Sequence, residues 1–267
     1  MLTRTIAGLT ALGIVLPALI WGGTVAVELM AAVIIAIGLW EYATMAFQDR
    51  APIWGFWRMA AVGFALFGAV LYGPPGVVGP VLAGGVLALL LSVLFRSGPV
   101  DGAAQAAGLL LLGVAWVPGL VVALPLVRRM DDGLAWIFFM LAVTWLGDTG
   151  AYFAGRALGR RKLYEKISPK KTWEGAIGGV VTAVAGGLVV RAIGLPDAGL
   201  VTCIVLAVVV DAAGIVGDLT ESMVKRTFGV KDSGRIMPGH GGILDRVDSL
   251  LFTSPVLLVA LQLMGRG

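Results

Sequence analysis

Apolar residues in this chain come in long runs, broken by short polar or Gly/Pro-rich interruptions, with little strand-like alternation. Runs of about 20 apolar residues suffice to cross a bilayer as helices, and helices satisfy their own backbone where lipid offers no hydrogen-bond partner. Divided at its polar and Gly/Pro breaks, the sequence predicts about nine spans, near residues 5–21, 24–47, 57–72, 76–95, 105–127, 134–155, 172–194, 198–221 and 248–265. The expected fold class is all-α, a polytopic transmembrane helical bundle. One integral membrane domain covers residues 1–267, with N-terminal spans to about 130 and the functional spans and loops over about 134–265. Gly22-Gly23 joins the short first span to the second, as a tight hairpin or a partly inserted helix. The basic and then apolar opening is read as an uncleaved first helix and not a signal peptide, because another long span follows at once.

Composition sharpens this picture. The chain is 58% hydrophobic and only 13% charged, with a mean hydropathy of +0.95, which is more apolar surface than one soluble core can hide. Cys203, the only cysteine, lies inside an apolar run, so no intrachain disulfide forms and a thiol mechanism has little support. If loops alternate between the two sides, 16 of the 20 basic residues fall on one side, among them Arg58, Arg96, the run from Arg156 to Lys171, and Lys225 to Arg246. The positive-inside rule places that side in the cytosol, with the N-terminus cytosolic and the C-terminus outside. Function is expected in the cytosolic loops, and no nucleic-acid partner is expected.

Three polar stretches stand out. Asp148, in WLGDTGAYFAG, sits within an apolar span, where a carboxylate needs a cavity, a cation or an arginine partner. Ser168-Pro169-Lys170-Lys171-Thr172 reads as an N-cap and first turn of the next helix, so that free N–H groups and two ammonium groups make an anion site suited to phosphate. Gly175, Gly178 and Gly179 are spaced for close helix packing. The second stretch carries Asp211, Asp218, Glu221 and Lys225 on one helical stripe. An ion pair with a buried polar contact explains it blandly, and a functional cavity explains it better.

The third stretch, KDSGRIMPGHGGILDRVDS, runs from Lys231 to Ser249 and holds the only histidine, His240. Gly234, Gly239, Gly241 and Gly242 with Pro238 imply a tight loop whose backbone approaches a ligand. Asp245 and Asp248 follow at the start of the last helix and face the end of the preceding one, so a carboxylate from each helix can hold a divalent cation. Hard oxygen donors beside cationic groups suit Mg²⁺ on a polyphosphate, whereas one histidine cannot build a zinc site. For His240 a loop-structuring hydrogen bond competes with acid or base work.

Together these residues resemble a known signature. Ser222-x-x-Lys225-Arg226, Lys231-Asp232-x-Gly234 and Pro238-x-His240-Gly241-Gly242-x-x-Asp245-Arg246-x-Asp248 resemble the pattern of the phosphatidate cytidylyltransferases, the CDP-diacylglycerol synthases. The likeness extends to Trp40-Glu41, to Asp148-Thr149 with Ala151-Tyr152-Phe153, and to Ser168 through Gly175, with Met237 a minor departure. It implies transfer of CMP from CTP to phosphatidic acid, in contact with membrane lipids. Asp218 and Asp245 would be the metal-binding pair, and Asp248 a third ligand or outer support. Lys225, Arg226, Lys231, Ser222, Asp232, His240 and Arg246 would surround the phosphates, while Ser168, Lys170, Lys171 and Asp148 would hold nucleotide or lipid. The resemblance further implies Mg²⁺ as cofactor, with room for a second, monovalent cation such as K⁺, a homodimer, and a bacterial plasma membrane. Two other classes compete: a carrier of anionic or lipid-phosphate substrates, and a CTP-dependent lipid kinase attacking the γ-phosphorus.

Overall fold

The computed structural model describes residues 13–48, 52–96, 100–236 and 241–266. A helical segment over 13–21 leads into α1 (Gly23–Phe47), followed by α2 (Pro52–Tyr72), α3 (Val78–Leu94), α4 (Ala103–Val121), α5 (Ala123–Arg129) and α6 (Gly133–Leu158). A short antiparallel hairpin, β1 (Lys162–Tyr164) and β2 (Ser168–Thr172), precedes α7 (Trp173–Gly194), α8 (Leu200–Thr227) and α9 (Leu244–Leu263). The protein is thus an all-α, multi-pass membrane protein. Six helices, with α4 and α5 taken as one, are long and apolar enough to cross a bilayer. By that measure the described residues give fewer spans than the nine expected; α3 is apolar but has only 17 residues, and residues 5–12 of the first expected span lie outside the described part.

Helix boundaries follow local chemistry. The break at Gly22-Gly23 is present, with Gly23 at φ +63°, a left-handed conformation that glycine adopts without a Cβ penalty. Pro118 lies inside α4, and the helix is interrupted at Val122, dividing the expected 105–127 span. Ser168 does not cap α7, as its sequence context had suggested. Pro169 disfavours a helical Ser168, which pairs with Tyr164 in the hairpin. The cap is Thr172, whose hydroxyl accepts from the Gly175 N–H at 3.1 Å.

Two apolar cores are joined by α9. Ile35, Leu39, Tyr42 and Met59 anchor one in α1 and α2, and Trp136, Phe139, Met140 and Val210 anchor the other in α6 and α8. Leu244, Val247 and Leu251 of α9 enter the first, and Leu257 and Leu261 enter the second. The start of α9 is therefore held by the N-terminal half of the chain.

Helices α6 and α7 approach through small residues. A Cβ on Gly150 would meet the Thr182 side chain, and one on Gly179 would come within 2.9 Å of the Gly147 carbonyl oxygen. The Thr182 hydroxyl donates across this seam to the Leu146 carbonyl at 2.7 Å. In lipid, where apolar side chains gain little by leaving their solvent, such close packing and cross-helix hydrogen bonding hold helices together. Basic side chains collect at both helix ends. Arg58 and Arg96 stack on Trp54, at 4.3 and 4.7 Å from its centroid, next to the ends of α2 and α3. At the other ends of these helices Arg129 pairs with Glu28 at 2.7 Å.

Candidate active site

Helices α6, α7 and α8, with the hairpin across their ends, enclose a cavity of about 250 Å³. Asp148 of α6, Asp211 and Asp218 of α8, and Lys170 and Lys171 of β2 all line it. Because α8 is continuous, the seven residues from Asp211 to Asp218 place both on one side at different depths, roughly 10 Å apart at 1.5 Å per residue. Strand alternation separates the two lysines: Lys170 is exposed, whereas Lys171 reaches inward and its ammonium contacts Asp218 Oδ2 at 2.7 Å. Ser222, one turn on, donates to Asp218 Oδ1 at 3.3 Å. Asp148 makes no ion pair among the described residues. Asp211 is only 4% exposed, and its Oδ2 has no hydrogen-bond partner among the described residues. Burying such an atom without a partner is costly.

A second network begins one turn further along α8. The Lys225 ammonium lies 2.5 Å from Asp245 Oδ1 and 2.5 Å from Glu221 Oε2. Its hydrogen bond goes to Asp245, and the same ammonium is ion-paired with Glu221 along α8. Asp245 Oδ2 accepts from the Ser233 N–H at 2.8 Å, the Ser233 hydroxyl at 2.9 Å and the Gly242 N–H at 2.8 Å. Asp245 lies ahead of the apolar run of α9. Burial pushes its carboxyl up, but the Lys225 ammonium and the Gly242 and Ser233 N–H groups outweigh this and hold it below the usual carboxylate range.

The two expected metal ligands thus stand in different settings. Asp218 faces the cavity against one ammonium, whereas both oxygens of Asp245 are engaged by protein donors. Asp248 is half-buried near both, within electrostatic reach of Asp218, Lys225 and Asp148. Its Oδ1 accepts the Ser249 N–H at 2.7 Å. Of the other expected phosphate contacts, Arg226 donates to the Val230 carbonyl at 2.9 Å, and Lys231, Asp232 and Arg246 are exposed around the same loop. Ser168 belongs to the hairpin and is not among the cavity-lining residues. His240, with Pro238 and Gly239, lies outside the described residues.

Loop glycines make room within the protein as well as in the ligand approach read from sequence. Gly241 has φ +80°, and a Cβ there would run into the Asp245 carboxylate; at Gly234 or Gly242 it would run into Glu41. Where described, these glycines make room for protein carboxylates. Glu41, quoted in the resemblance but given no role, is a residue whose importance the sequence left unassigned. It is 3% exposed and accepts from the Ile243 and Leu244 N–H groups at 2.9 and 3.0 Å. A glutamate next to the tryptophan at the end of an apolar span was the available signal.

Among the described residues no three acidic, histidine or cysteine side chains converge as a ready metal cluster. The donor chemistry nevertheless fits a hard cation. Asp148, Asp211, Asp218 and Asp248 offer carboxylate oxygens, Asp211 Oδ2 is unpartnered, and Lys171 already brings positive charge to Asp218.

A family model described as the cytidylyltransferase family matches residues 2–264. Phosphatidate cytidylyltransferase of Brucella suis biovar 1 (strain 1330) is 46% identical over 171 residues, covering 64% of this chain and 60% of that protein. The Bacillus subtilis (strain 168) protein of the same name is 44% identical over 140 residues, 52% of each chain. That of Staphylococcus saprophyticus subsp. saprophyticus is 46% identical over 136 residues, 51% of this chain and 52% of that protein. The chain therefore spans between about half and 60% of these relatives' lengths.

Proposed function

Because this chain belongs to the cytidylyltransferase family, we propose that it transfers CMP from CTP to phosphatidic acid, giving CDP-diacylglycerol and pyrophosphate. The observation that carries this reading is the cavity among membrane-crossing helices, in which Asp148, Asp211 and Asp218 meet Lys170 and Lys171. A soluble polyanion and a lipid phosphate must meet where the membrane ends, and a cavity sunk between α6, α7 and α8 below a basic hairpin suits both. The hairpin and the loop after α8 face the cytosol in this reading, and the membrane is a bacterial plasma membrane. Family resemblance supports a homodimer.

In the proposed reaction a phosphatidate oxygen forms a bond to the α-phosphorus of CTP while the bond from that phosphorus to the α,β-bridging oxygen breaks, and pyrophosphate leaves. The attacking phosphate is already ionised, so the step needs positioning and charge neutralisation more than a base. Lys170 and Lys171 neutralise phosphate oxygens from the hairpin. Lys225, Arg226 and Lys231 line the approach from the end of α8, with Ser222, Asp232 and Arg246 beside them. Mg²⁺ would be held by Asp218 and by Asp245, whose Oδ1 accepts from Lys225 alone, with Asp248 adjacent, and would supply Lewis-acid neutralisation of the phosphoryl oxygens. A monovalent cation such as K⁺ would have the remaining cavity carboxylates as donors. No acid or base role is assigned to His240, since the chemistry does not require one.

The test is a lipid-extraction assay on detergent-purified protein with CTP labelled at the α-phosphate, phosphatidic acid and Mg²⁺. Label is expected in the lipid fraction, and is lost with Asp218→Asn or on chelation. Label in the lipid only when CTP carries it at the γ-phosphate would replace this reading with a lipid kinase. No transfer of either label by folded protein would favour a carrier.

A further inference from the structure

The first turn of a helix presents N–H groups without intrahelical partners. Helix α9 begins at Leu244 after Ile243, which makes no side-chain cap of its own. A carboxylate from 202 residues earlier in the chain takes that place: Glu41 of α1 accepts from Ile243 N–H at 2.9 Å through Oε1 and from Leu244 N–H at 3.0 Å through Oε2. The Ser233 hydroxyl lies between the two carboxylates, 3.1 Å from Oε2 and 2.9 Å from Asp245 Oδ2, and its one hydrogen serves either of them. Glu41 is 3% exposed and Ser233 is 3% exposed. Charge placed at a helix N-terminus with good hydrogen bonds is stabilising. A buried carboxylate is otherwise expensive, so its retention here calls for a specific reason.

We propose that Glu41 is a positioning residue for the transfer reaction: by capping α9 from α1 and sharing Ser233 with Asp245, it fixes the Asp245 carboxylate and, through it, the Lys225 ammonium. The proposal rests on the cytidylyltransferase reading for its kinetic part and on geometry alone for its structural part. Glu41 is not among the cavity-lining residues and touches no reacting atom in this scheme. Its action runs through the loop of Ser233 and the first turn of α9. Space for it exists because residues 234 and 242 are glycines, where a Cβ would collide with its side chain. The geometry further requires a charged acceptor at both oxygens. Glutamine keeps the size but turns an NH₂ donor toward a donor, so it satisfies only one side of the site.

Glu41→Gln, Glu41→Asp and Ser233→Ala are compared with wild type in two measurements: steady-state CMP transfer, and backbone hydrogen exchange of peptides covering residues 241–247. Glu41→Gln is expected to lower kcat by on the order of tenfold or more, as losing a charge-assisted hydrogen bond implies, with the KM for phosphatidic acid changed less than twofold. The Mg²⁺ concentration for half-maximal rate should rise, and exchange at Ile243 and Leu244 should quicken. Glu41→Asp, which keeps the charge but is shorter, should recover part of the rate. A folded Glu41→Gln protein with wild-type kcat, Mg²⁺ dependence and exchange overturns the proposal, as does loss of thermal stability with no kinetic change. If Glu41→Gln does not fold, Ser233→Ala decides: slower transfer with quicker exchange supports the bridge, and wild-type values for both refute it. Should wild type transfer no CMP, the functional reading fails while the exchange data still judge the cap.

Discussion

Two groups of carboxylates, Asp245 with Glu41 at the start of α9 and the acids of the cavity between α6 and α8, are equally polar in sequence and differ in how far the protein satisfies them. At Asp245 both oxygens are met, by Lys225, Ser233 and Gly242, and the Glu41 beside it is matched in the same way. In the cavity, Lys171 pairs with Asp218 but with neither Asp148 nor Asp211, and Asp211 Oδ2 meets no partner among the described residues. A satisfied buried network holds a shape. An unsatisfied one leaves acceptors for something that arrives later, and a cation with phosphate oxygens is the kind of visitor these acceptors suit. The difference separates carboxylates that the protein already holds in place, Asp245 among them, from carboxylates left open.

Substitutions can break this comparison. The largest effect is expected at Asp218→Asn, with transfer falling about a thousandfold, the scale of losing a major electrostatic contribution to phosphoryl chemistry. Thermal unfolding in detergent should be unchanged or slightly raised, because the variant removes one of several crowded acids. Asp245→Asn should cost activity and also stability, by about 1–3 kcal/mol, since it leaves Lys225 with Glu221 alone and turns an amide NH₂ toward buried donors. A fully stable Asp245→Asn protein would show that this carboxylate does not hold the start of α9. Gly150→Val comes next: its side chain has no room against Thr182 and should destabilise the α6–α7 seam by about 1–3 kcal/mol. Reduced thermal stability with unaltered KM for CTP is the expected result.

Much of the architecture was legible from sequence because lipid forces long apolar helices, and most expected span boundaries fall within a few residues of observed ones. The stripe of Asp211, Asp218, Glu221 and Lys225 was legible too, since α8 is unbroken from Leu200 to Thr227. What periodicity does not carry is which partner each charge finds. Lys171 reaches Asp218 because residues 168–172 form a strand and not a helical turn, a choice set by Pro169 and by Thr172 as the cap. Glu41 meets Ile243 and Leu244 only after α1 and α9 pack together. Spacing along the chain records nothing of that meeting, nor that Gly234 and Gly242 accommodate it.

The smallest effect is expected at the loop cations, and it tests where binding ends. Arg226 donates to the Val230 carbonyl, and Lys231 is exposed. Exposed charges are screened by salt within about 8–10 Å at physiological ionic strength and attract polyanions more than they fix them. Lys231→Ala should therefore raise the KM for CTP about two- to fivefold at low salt, an effect that shrinks as salt is added, with kcat nearly unchanged. A fall in kcat as large as that of Asp218→Asn would show that the loop closes over the phosphates during transfer, and the binding region would then extend from the cavity across the start of α9.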